Sequence, residues 1–156
     1  METITITIPI EPKGKRVPKR AQRGAFHKMY KDKQQVDYEN IIAMYLKEKK
    51  PKKPIEGEVW LMMTTLMPIP KSKPLWWKRA ACKRLIRPIT KPDCSNMIKN
   101  IEDIMKLMGY FGDDAQIVHV KNSKFYSIHP CWEIGIHYYD DYPKHMEEIK
   151  IEILKG

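Results

Sequence analysis

"TKPDCSNMIKNIEDIMKLMGYFGDDAQ", residues 90–116, holds the clearest element of the chain. Met97, Ile101, Ile104, Met105 and Met108 recur at helical spacing, so the segment predicts a helix from Asn96 to Met108 with one apolar stripe for packing. That helix is roughly 20 Å long. Gly109 stops it in the left-handed conformation that glycine adopts freely, and Gly112 turns the chain toward a following strand. Asp93 opens the segment and Asp113 and Asp114 close it. Asp93 or Ser95 can cap the helix, and the paired acids can form a polar turn. Alternatively, these carboxylates act together, which requires the helix to cross the start of the strand.

Strands and helices interleave on both sides. TITITI (3–8) alternates at period two, as a half-buried strand does. Residues 33–49 read as a helix with Val36, Ile41, Met44 and Tyr45 near one face. GEVWLMMTTLMP (57–68) reads as a strand buried on both faces. A helix is predicted from Pro74 to Ile86, and strands at AQIVHVK, CWEIGIHYY and the C-terminal EIKIEIL. The pattern predicts one α+β domain over residues 1–156, a mixed β-sheet flanked by helices.

Lys and Arg number 29 against 19 Asp and Glu in 156 residues, a net charge of +10. Such an excess points to a polyanionic partner. It is concentrated in two places. Residues 12–32 form a basic loop, in which Lys13, Lys15, Arg16, Lys19, Arg20 and Arg23 lie between Pro12 and Gly24 without an acid. Residues 69–92 contain eight more cations and no acid, among them Lys71, Lys73, Lys78, Arg79 and Lys91. These residues, with Lys121 and Lys124 on the next strand, are the expected DNA-contacting set. Trp76 and Trp77 are expected in the core, with stacking on unpaired bases as the alternative. The three cysteines and five histidines show no zinc-ligand spacing. No signal peptide or membrane span is visible, and a cytoplasmic protein with neither a membrane nor a small-molecule substrate is expected.

Between the basic flanks, the carboxylates suit phosphodiester hydrolysis. Mg²⁺ held by one or two carboxylates would aim a hydroxide and relieve charge on the leaving oxygen. Lys99, one turn beyond Ser95, could neutralise the phosphate or the leaving group.

The residues KPDCSNMIK, then Asp103, then GDDAQ resemble the ordered motif of the RusA-type Holliday junction resolvases. The likeness extends to IPIEPKGKR near the N-terminus and to VKNSKFY followed by CWEIGI, covering most of residues 3–138. It implies a RusA-like fold and a homodimer that nicks paired strands of a four-way DNA junction using Mg²⁺, or Mn²⁺. By that resemblance Asp93 and Asp114 are catalytic carboxylates and metal ligands, Lys99 is the catalytic lysine, Lys91 the basic residue before the motif and Asn96 its asparagine. Ser95 departs from the pattern, standing where the family has a second aspartate. A serine hydroxyl is neutral and a poor substitute for a carboxylate. An engineered change, a natural loss of catalysis, or recruitment of another acid such as Asp113 would each account for it.

Overall fold

The computed structural model describes the backbone of residues 1–156 and all side chains except those of Gln22 and His27. The elements run β1 (Glu2–Ile8), β2 (Lys19–Arg23), β3 (Phe26–Tyr30), α1 (Lys33–Lys49), β4 (Val59–Pro68), α2 (Leu75–Cys82), α3 (Cys94–Leu107), β5 (Ile117–Ser127), β6 (Cys131–Tyr138) and α4 (Tyr142–Lys155). The main sheet has the order β1-β6-β4-β5, with β4 and β5 parallel and the other pairs antiparallel. This is the expected single α+β domain with a mixed sheet.

The core forms where α1 and α3 lie on one face of that sheet. Met97, Ile101, Ile104 and Met105 of α3 join Ile42 and Leu46 of α1 against Leu61, Met63, Ile134 and Ile136. Each such side chain contributes about 1.5–3 kcal/mol through burial. Trp132 is also fully buried, and its indole N–H donates to the Tyr38 hydroxyl at 2.9 Å, so that N–H is satisfied. Gly109 follows α3 with φ +75°, as its role as helix stop requires.

Several sequence expectations give way here. The C-terminal EIKIEIL is helix, not strand. Asp141 caps α4 by accepting from the Lys144 amide at 3.0 Å, and Pro143 fits the first turn. No residue of α4 is buried, so no core face selects the strand that period-two alternation suggested. On α1 the buried stripe is Gln35, Ile42 and Leu46, while Val36, Ile41 and Met44 are exposed; a buried glutamine disguised the stripe. β4 buries alternate residues only, leaving Trp60 and its neighbours on an open face. The 12–32 segment is a loop only at first, then the β2–β3 hairpin, turned by Gly24 at φ +61°. α2 ends at Cys82, and Arg84 at φ +62° breaks the continuation. Trp76 is 68% exposed, so it is not a core residue. Among the described residues, no helix is long and apolar enough to cross a membrane.

Candidate active site

Asp93 occupies the N-cap position of α3 but makes no capping bond with its side chain. Its Oδ2 instead accepts the Ser95 hydroxyl at 2.8 Å. That bond above all holds the Asp93 carboxyl below the usual range. Lys99 lies six residues on, roughly 9 Å along the axis. Its ammonium donates to Asp114 Oδ2 at 3.2 Å and pairs with Asp103 Oδ1 at 3.1 Å. These two contacts, Asp103 first, raise the Lys99 pKa, so the lysine stays charged. Asp113 beside it, and then the ammonium groups of Lys99 and Lys106, hold the Asp114 carboxyl down to about 2.

Three amide side chains fix the parts of this surface. Gln116 Nε2 donates to Ile55 O at 2.8 Å and Gly57 O at 2.9 Å, and its Oε1 accepts from the Gly112 and Asp113 amides. It clamps the turn carrying Asp113 and Asp114 to the strand-leading linker. Asp113 itself caps that turn through the Ala115 amide. Asn96 binds both the amide and the carbonyl of Lys15, and Asn100 donates to Lys13 O. Gly14 is needed where this loop meets α3, because an added Cβ would stand 2.8 Å from Pro92 Cβ. Lys15 then reaches Asp103, whose carboxyl is lowered by Lys15 and Lys99 against the opposing effect of partial burial.

The expected DNA-contacting cations fall into distinct environments. Lys13 lies over the Tyr38 ring, and Arg16 and Lys19 pair with Asp32. Arg20, Lys71, Arg79 and Lys91 are exposed, and Lys78 is half-buried. Lys73 lies over Trp77, 5.1 Å from its centroid. Lys121 pairs in register with Met62, on the sheet face opposite α3. Lys124 differs from all of these. It is 7% exposed, and its ammonium donates at 2.7 Å to the carbonyls of both Thr90 and Pro92. It holds the backbone leading into Asp93 rather than meeting solvent.

Sequence reasoning passed over Glu102. Ser95, Lys99, Glu102 and Lys106 follow one stripe of α3, a spacing that could have revealed it. Burial raises the Glu102 pKa, with the charges of Asp114 and Asp103 adding to the effect.

The implied Mg²⁺ can be tested against these donors. Asp93 and Asp114 offer suitable hard oxygens. However, among the described residues no group of three or more Asp, Glu, His or Cys side chains is placed to hold a metal. One Asp93 oxygen is taken by Ser95, and Asp114 is engaged by two lysines. The residues as they stand do not form the implied metal site.

Together the features define a class: a small basic α+β domain with a lysine–carboxylate site along one helix and the turn that follows it. The chain belongs to the RusA endodeoxyribonuclease family, whose pattern it matches over residues 9–137. It is 32% identical over 138 residues to the uncharacterized protein YqaN of Bacillus subtilis (strain 168), covering 87% of this chain and 96% of that relative. It is also 32% identical over 84 residues to the crossover junction endodeoxyribonuclease rusA of Lactococcus phage r1t, covering 53% of this chain and 58% of the phage protein.

Proposed function

We propose that this chain is a structure-specific endonuclease of four-way DNA junctions whose turnover is curtailed by Ser95. Family membership supports the substrate class. The observation that carries the reading is the Lys99 ammonium, fixed by Asp114 and Asp103 one turn beyond Ser95. A charged, immobilised lysine there can neutralise a phosphate or leaving oxygen without reorganising. Exposed cations of residues 13–20 and 71–91 would seat the arms of the junction, and paired nicks would require two copies of the chain as a homodimer. The Mg²⁺ or Mn²⁺ dependence of the family remains part of this reading, although the acid set of this chain is one short.

A second reading rests on the Ser95–Asp93 bond. In it the chain binds junctions and does not cut, because an Asp93 oxygen is occupied by a hydroxyl. Both readings require preference for branched DNA. The test is titration of a labelled four-way junction and a linear duplex of the same sequence at one salt concentration. Junction binding at least about tenfold tighter is the expected result, a difference of about 1.4 kcal/mol. Equal affinity would leave only binding by charge.

A further inference from the structure

The α2 face bearing Leu75, Arg79 and Cys82 borders an open groove of about 430 Å³ that lies apart from the Lys99–Asp103–Asp114 cluster. Ile69, Leu75, Cys82 and Ile128 give it an apolar floor. Lys71, Lys78, Arg79 and Lys83 stand around that floor, and among the described residues no acid lines the groove. Leu75 is 62% exposed and Ile128 71% exposed, so the floor faces water. Among the described residues, none of the four cations pairs with a carboxylate. Trp76 stands beside this face, three residues from Arg79, which makes the two neighbours on the helical surface. It is 68% exposed.

Duplex phosphates would use the cations but leave the apolar floor and the tryptophan in water. A membrane surface would need those apolar groups to project, whereas here they line a concavity. An unpaired nucleotide satisfies both halves: its base has an apolar face that stacks on aromatic side chains, and its phosphates carry the complementary charge. We propose that the α2 groove and Trp76 form a binding site for an unpaired nucleotide, the kind exposed where strands cross in branched DNA. This rests on the DNA-binding reading above.

The test compares a short single-stranded oligothymidylate with a duplex carrying the same number of phosphates, for the unaltered chain and for Trp76→Ala, Trp76→Phe and Leu75→Gln. All three variants keep the net charge. Trp76→Ala should weaken single-strand binding about tenfold or more, with Leu75→Gln weakening it in the same direction, while duplex affinity stays within about threefold. Trp76→Phe, which keeps an aromatic face, should retain most of the single-strand affinity. Retained duplex binding also reports that each variant is folded. Single-strand affinity unchanged by Trp76→Ala and Leu75→Gln overturns the site, as does equal loss on both nucleic acids. Capture of anionic phosphatidylserine vesicles that depends on Trp76, with oligothymidylate binding unaffected, overturns it in favour of a lipid surface. Because these arms contain no junction, failure of the groove is separate from failure of junction preference.

Discussion

The Ser95 hydroxyl donates a 2.8 Å hydrogen bond to Asp93 Oδ2. An aspartate at position 95 would replace that donor with a like charge. Two carboxylates so close would resist joint ionisation until a cation lay between them. Serine therefore changes more than the count of acids. It relieves the repulsion a divalent ion would otherwise neutralise, and it occupies an oxygen that the ion would use.

Lys124 is predicted to act through the backbone rather than through DNA. Lys124→Met keeps the stem and removes both bonds to Thr90 O and Pro92 O, so urea denaturation should show a loss of about 1–3 kcal/mol. Lys121→Met, at an exposed position, should change stability by less than about 0.5 kcal/mol. Salt titrations separate the roles further. Removing a phosphate contact lowers the slope of log K against log salt by about one, as expected for Lys71→Met and not for Lys124→Met. A lowered slope for Lys124→Met would place its ammonium on DNA.

Gln116 is predicted to carry the placement of Asp114. Gln116→Leu removes the contacts to Ile55 O, Gly57 O and the Gly112 and Asp113 amides. A stability loss of about 1–3 kcal/mol is expected in denaturation, more than an exposed glutamine would give. An unchanged denaturation midpoint would show that the turn holds without the clamp.

Glu102 supplies a pH signature. Burial raises its folded pKa above the ordinary carboxylate value, so its folded-state penalty is absent at pH values below the unfolded pKa. The penalty grows as pH rises through the raised folded value. Glu102→Gln should therefore raise the melting temperature at pH 7 and leave it nearly unchanged near pH 4. A drop at pH 7 would mean that attraction to Lys99 outweighs burial at this position.

The α3 stripe and its stop at Gly109 were legible because methionine and isoleucine recur at one helical period and only glycine suits the turn. The hairpin at β2–β3 was hidden by basic side chains, since an exposed two-stranded ribbon needs no apolar alternation. α4 was misread because alternation over EIKIEIL carries information about a strand only when one face is buried, and here none is. The motif residues could be picked out one by one, but not their partners. Whether Lys99 meets Asp114, or Lys124 turns inward beneath Pro92, depends on how α3 crosses the sheet.

Cleavage of a labelled four-way junction with Mg²⁺ and with Mn²⁺, by this chain and by Ser95→Asp side by side, decides whether Ser95 curtails turnover. Paired nicks are expected from the Ser95→Asp form and little or none from the serine chain, with both binding the junction. Equal cleavage by the serine chain would contradict it, showing that another acid completes the site, and Asp113 would then be the residue to replace.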